Sequence, residues 1–118
     1  MTVLEGSRVL VVEDEPIVAM ALEDMLESLG CVTIGPASRL AEGLALAERE
    51  TISAAILDIN LAGERSEPIA EALIRRGIPF AFASGYGITP EAYQDQVPMI
   101  GKPYREADVV AALEGLLG

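Results

Sequence analysis

Asp58 ends the run Ser53-Ala54-Ala55-Ile56-Leu57, a strand-length apolar stretch that stops abruptly in a carboxylate. An isolated Asp in that position most simply starts a turn. Three other stretches end in matching chemistry: Val9-Leu10-Val11-Val12 runs into Glu13-Asp14-Glu15, Pro79-Phe80-Ala81-Phe82-Ala83 into Ser84, and Pro98-Met99-Ile100 into Gly101-Lys102-Pro103. Carboxylates gathered in one place raise one another's pKa unless positive charge is supplied. Lys102, the one lysine among eight basic residues, supplies one unit. Three carboxylates less one ammonium leave about −2, the charge one Mg2+ balances, and hard oxygen donors suit that ion with several waters retained. An aspartate so held, beside a lysine and the Ser84 hydroxyl, is equipped to attack phosphorus. The chemistry implied is phosphoryl transfer to Asp58.

Each residue also has a plainer reading. Glu13-Asp14-Glu15 suits the positive end of a helix dipole, Lys102 suits a surface, and Ser84 suits a turn. Their common place at strand ends favours the chemical reading. Tyr86, Tyr93 and Tyr104 are read as amphipathic surface residues; Tyr86 and Tyr104 flank the site and, with Ile88 and Met99, are candidates for a partner surface. Met20 and Met25 read as helix packing, and Cys31 as a small buried residue with nothing cationic nearby in sequence to activate it.

The elements that must position these groups alternate along the chain. The first strand, Arg8 to Val12, is β-branched, continuous and too short for a helix. Pro16 then suits a first helical turn, with Val18, Leu22, Met25, Leu26 and Leu29 on one face and Gly30 as the stop. Val32 to Pro36 reads as an edge strand closed by Gly35 and Pro36. Ser38 is the expected cap of a second helix carrying Leu40, Leu44 and Ala47 inward. After the strand that ends at Asp58, Leu61 to Arg65 reads as loop, and Ser66 as the cap of a helix through Ile69, Leu73 and Ile74 to Arg75-Arg76-Gly77. Pro79 to Ala83 is the fourth strand, Ser84 to Gly87 a loop, and Thr89-Pro90 the start of a short fourth helix. Pro98-Met99-Ile100 is the fifth strand, and Val109, Val110, Leu113, Leu116 and Leu117 mark the closing helix. Five βα units imply an α/β fold with a five-stranded parallel sheet, right-handed crossovers and helices on both faces. The order 2-1-3-4-5 places Glu13, Asp14 and Asp58 side by side where strands one and three diverge.

Composition sets outer limits. The 118 residues fit one domain, 1–118, and no apolar run approaches a membrane span. Residues 1–6 do not resemble a signal peptide, so a cytoplasmic protein is expected. The net charge of −11 repels phosphate backbones and anionic lipid, which argues against nucleic-acid and membrane partners. The single cysteine excludes an internal disulfide, and the absence of histidine removes the usual general base and transition-metal ligand.

Val11-Val12-Glu13-Asp14-Glu15-Pro16, Leu57-Asp58-Ile59-Asn60, Ala83-Ser84-Gly85-Tyr86 and Lys102-Pro103, in this order and spacing, resemble a response-regulator receiver domain over essentially the whole chain. The resemblance implies a flavodoxin-like (βα)5 fold and an Asp58 that accepts phosphate from a kinase's phosphohistidine. It also implies Mg2+ bound by Asp14, Asp58 and the main-chain carbonyl of Asn60, with Glu13 reaching the metal through water. Lys102 would contact the phosphoryl group, and the Lys102-Pro103 bond would be cis, as is common in the family. Three departures stand out. Ser84 replaces the usual switch threonine, Ala62 the proline common four residues after the acceptor, and Met99 the aromatic three positions before the lysine. The last removes the usual moving part of the switch and leaves Tyr86 as candidate. Phe82-Ala83-Ser84-Gly85-Tyr86 further resembles the receiver subgroup with a Phe-Ala-Thr-Gly-aromatic signature, called FATGUY.

The expected function is therefore that of a phosphoacceptor, stand-alone or part of a hybrid kinase. Its partners would be a histidine kinase or phosphotransfer protein and a downstream protein reached through the face of the fourth helix, fifth strand and fifth helix. No turnover of a separate substrate is expected. A degenerate receiver that is never phosphorylated is the alternative. An aspartyl-nucleophile phosphatase of the haloacid-dehalogenase type is disfavoured by Asn60, which stands where those enzymes place an acid. A flavin binder is disfavoured by the acids after strand one, which repel phosphate.

Overall fold

The continuous apolar runs become strands because both faces of each are covered. The structure, a computed structural model, describes residues 4–85, 93 and 96–118. Along the chain come β1 (Arg8–Val12), α1 (Pro16–Ser28), β2 (Val32–Ala37), α2 (Leu40–Arg49), β3 (Ala54–Asp58), β4 (Asn60–Leu61), β5 (Glu64–Arg65), α3 (Glu67–Arg75), β6 (Phe80–Ser84), β7 (Met99–Gly101) and α4 (Glu106–Leu117). Five of the strands form a parallel sheet in the order β2-β1-β3-β6-β7. Counting those five alone, this is the expected 2-1-3-4-5 arrangement of a flavodoxin-like fold.

The period-two geometry of strands divides the core in two. Leu10, Val12, Ala55, Leu57, Phe80 and Phe82 pack with Ala47 of α2 and Ile69 and Leu73 of α3. Val9, Val11, Ala54, Ile56, Ala81 and Ala83 pack with Leu22 and Leu26 of α1 and Val109 and Leu113 of α4. Each fully buried Leu, Ile, Val or Phe contributes about 1.5–3 kcal/mol. A sheet clamped in this way holds its strand ends flush. Val12 pairs with Leu57, Asp58 with Ala83, and Ser84 with Gly101.

Several local expectations change. Ser38 does not cap α2: the N-cap is Arg39, no side chain caps it, and Ser38 instead donates its N–H to the Glu42 carboxylate at 3.0 Å. Ser66 does sit at the N-cap of α3, but its hydroxyl donates to the Ile59 carbonyl at 3.2 Å and not to the helix, whose first turn it leaves uncapped. The expected loop from Leu61 to Arg65 contains a small antiparallel hairpin in which Asn60 pairs with Arg65 and Leu61 with Glu64. Ala62 and Gly63 turn it with φ of 51° and 91°. Ser84 belongs to β6 and not to the loop after it.

Helix faces also shift. Met25 packs against the core as expected, whereas Met20 and Ile74 are exposed because they lie off the inner stripe of their helices. Tyr93 is no plain surface residue: it stands edge-on to Phe80 and Phe82, with ring centroids 6.2 and 5.3 Å away. Cys31 is buried, its thiol donating to the Leu4 carbonyl, and burial pushes its pKa up. Among the described residues no helix is long and apolar enough to cross a membrane. The helix expected from Thr89-Pro90, together with Tyr86 and Ile88, lies outside the described residues.

Candidate functional site

Four parallel strands end at one edge, and the residue that leaves each of them carries the site. Glu13 continues past β1, its N–H donating to the Ala37 carbonyl at 2.9 Å, which keeps it in line with the sheet. Asp58 ends β3, Ser84 ends β6, and Lys102 follows β7 with its N–H on the Ser84 carbonyl at 3.1 Å. The Lys102-Pro103 peptide is cis, as is Gly35-Pro36.

The side chains converge. Glu13, Asp58 and Ser84 are buried, Glu13 to 1% exposure. Lys102 Nζ lies 3.1 Å from Glu13 Oε1 and 3.0 Å from Asp58 Oδ2, bridging the two carboxylates. Lys102 is thus not a surface lysine. Glu15 donates its N–H to Glu13 Oε2 at 3.2 Å. Oxygen atoms of Glu13, Asp14 and Asp58 all lie within 4.8 Å of one another. Asp14 is half-buried, and its Oδ2 accepts the Ala62 N–H at 2.9 Å. Asn60 opens β4, and its side-chain oxygen accepts the Gly63 N–H at 3.0 Å.

The electrostatics follow from burial more than from mutual repulsion. Burial, reinforced by the charge of Asp58, lifts the Glu13 pKa from 4.5 to about 7 against the opposing pull of the Glu15 N–H and Lys102. Burial also raises Asp58, although hydrogen bonds from Lys102 and Glu13 oppose it. Burial works against the Lys102 ammonium, but its bonds to Asp58 and Glu13 outweigh that and its pKa is raised. One ammonium shared between two buried carboxylates leaves the cluster short of positive charge. The donor set consists of hard carboxylate oxygens close enough to share one ion, which fits a small divalent cation. A cation there would have Glu13, Asp14 and Asp58 as its neighbours.

Tyr104 departs from expectation. It is buried, with 7% exposure, and its hydroxyl faces Glu13 Oε1 at 3.5 Å, so it faces inward and is no part of an outer partner surface. Burial, then the charges of Glu13 and Asp58, push its pKa up. Its position two residues after Lys102 was the available signal. The Ala62 contact is a backbone donation and had no side-chain signature to find.

Carboxylates, a lysine and a hydroxyl gathered at the carboxyl ends of a doubly wound parallel sheet define a receiver-type α/β protein. The chain belongs to the response regulator receiver domain family, whose profile matches residues 9–114. It is 31% identical to the phyllosphere-induced regulator PhyR of Methylorubrum extorquens over 95% of its own length and 44% of that protein. The solution structure of SdrG from Sphingomonas melonis is 42% identical with a TM-score of 0.86, each chain being covered completely. SdrG in its BeF3-activated conformation, recorded for Pseudomonas melonis, is 40% identical with a TM-score of 0.78 over 99% of this chain and 98% of that one. The anti-anti-sigma factor PhyR from Bartonella quintana is 26% identical with a TM-score of 0.80 over 95% of this chain and 47% of that one. The chain thus spans about half the length of the PhyR proteins and all of SdrG.

Proposed function

We propose that this domain is the phosphoacceptor of a two-component relay, taking a phosphoryl group on Asp58 from the phosphohistidine of a histidine kinase or phosphotransfer protein. The observation that carries the reading is the Asp58 carboxylate itself, held at 3.0 Å by Lys102 among strand-end acids. An Asp58 oxygen attacks phosphorus, the bond from phosphorus to the imidazole nitrogen breaks, and the nitrogen keeps the electron pair. Lys102, already on Asp58, moves its ammonium onto a phosphoryl oxygen, and the Ser84 hydroxyl hydrogen-bonds another. Asp14, Asp58 and the Asn60 main-chain carbonyl would hold Mg2+, with Glu13 beside it, and the ion would supply the remaining positive charge. The domain turns over no separate substrate.

Phosphorylation then shifts a protein-binding face, in the cytoplasm, toward a downstream partner; SdrG, with its BeF3-activated conformation, supports this reading by likeness. Phe82-Ala83-Ser84-Gly85-Tyr86 supports membership of the FATGUY subgroup, with serine in the threonine position. The test is intact mass after incubation with a small phosphoramidate, with and without Mg2+, on the natural chain and on Asp58→Asn. A Mg2+-dependent gain of one phosphoryl group, absent from the variant, is expected. A folded natural chain that gains nothing with Mg2+ present refutes the reading.

A further inference from the structure

Asp14 is held differently from the other two acids. Glu13 and Asp58 are buried against Lys102, whereas Asp14 reaches sideways to the β4–β5 hairpin and accepts the Ala62 N–H at 2.9 Å. Ala62 is also the one non-glycine residue with positive φ among the described residues. That conformation disfavours any side chain, and strain of this kind gathers where a site needs it. With Gly63 it forms a two-residue turn with positive φ at both central positions, the geometry that matches the twist of the paired strands. A proline at position 62 would have neither the N–H nor the φ.

A carboxylate offers about four lone-pair directions. One N–H therefore leaves Asp14 able to meet a cation while restraining its two side-chain rotations. We propose that the Ala62 N–H is a positioning group of the cation site, holding Asp14 in place before the ion arrives. The inference rests on reading the acidic cluster as a Mg2+ site. Linkage makes the effect mutual: a hairpin that favours the ion is itself ordered by the ion, by the same factor. The β4–β5 hairpin, on the outer rim of the site, then reports whether the cation is bound.

Two measurements test this. Without any cation, amide exchange is compared between the natural chain and Asp14→Ala. Exchange at the Ala62 amide is expected to rise, while that at Gly63, whose partner is Asn60 Oδ1, stays the same. Mg2+ affinity is then measured by calorimetry. Ala62→Pro is expected to weaken it by about tenfold, whereas Ala62→Gly, which keeps the N–H, stays within about twofold. Ala62 exchange unmoved in Asp14→Ala overturns the proposal, and that arm needs no folded proline variant. A folded Ala62→Pro chain that binds Mg2+ normally overturns it too, as does equal weakening by Pro and Gly, which would assign the effect to hairpin shape. If the natural chain takes up no Mg2+ at all, the cation reading of the cluster has failed and the positioning role falls with it, whatever the exchange data show.

Discussion

Glu13 is where the needs of the fold and of the site oppose each other. Its pKa is raised from 4.5 to about 7, so the folded state prefers it protonated. The stability it contributes is complete below about pH 4.5 and is lost as pH rises through about 7, a difference on the order of 3 kcal/mol. Glu13→Gln keeps the shape without the charge. In the presence of a chelator the variant is expected to be about 1–3 kcal/mol more stable than the natural chain above pH 7.5. The gap should close toward pH 4.5, as measured by urea unfolding across pH. A gap that does not vary with pH would assign the effect to something other than the buried charge. Glu13, Asp14, Asp58, Ser84 and Lys102 were legible in the sequence because each follows an apolar run, and a strand end leaves few places for such a residue to go. The inward turn of Tyr104 was not, since a tyrosine suits a surface and a lined site equally well.

At the scale of elements, the layer of α2 and α3 depends on a glycine. A Cβ on Gly43, in the middle of α2, would come within 2.7 Å of Ile69 Cδ1 and 3.3 Å of Val12 Cγ2. Helix propensity alone favours alanine there by about 1 kcal/mol. The close approach to β1 and α3 outweighs it, because Ile69 is fully buried and has little room to yield. Gly43→Ala is therefore expected to cost about 1–2 kcal/mol net, read from the urea midpoint at unchanged slope; a stabilised variant would show that Ile69 gives way freely. Strands and helices were legible from hydrophobic period, and the sheet order from their alternation. The β4–β5 hairpin was hidden because Ala62 is no turn former, leaving Gly63 as the only hint. Ser38 misled as the cap of α2, and Ser66, though it takes the N-cap place of α3, turns its hydroxyl elsewhere, because position alone does not say which acceptor a hydroxyl meets.

For the whole molecule, a net charge of −11 means that added salt of any kind relieves repulsion. A Mg2+ site at the acidic cluster of Glu13, Asp14 and Asp58 would add to this. At equal ionic strength, MgCl2 is expected to raise the midpoint of thermal unfolding beyond NaCl, by roughly 10 °C when Mg2+ reaches about a hundred times its dissociation constant. Asp14→Asn should lose most of that increment and keep the general salt effect. Identical curves in the two salts would deny the acidic cluster any particular affinity.

The borders of the sheet carry a consequence of their own. On one side β2 includes Gly35 and Pro36, a residue without an N–H to offer, and its register with β1 shifts between Leu10 and Val12. On the other, β7 is three residues long. Neither border presents a long straight row of donors and acceptors. A visiting chain therefore finds little template on which to lengthen the sheet, whether as a signalling peptide laid down as a sixth strand or as another copy seeding an aggregate. Recognition is left instead to side chains on the helices and on the rim of the site.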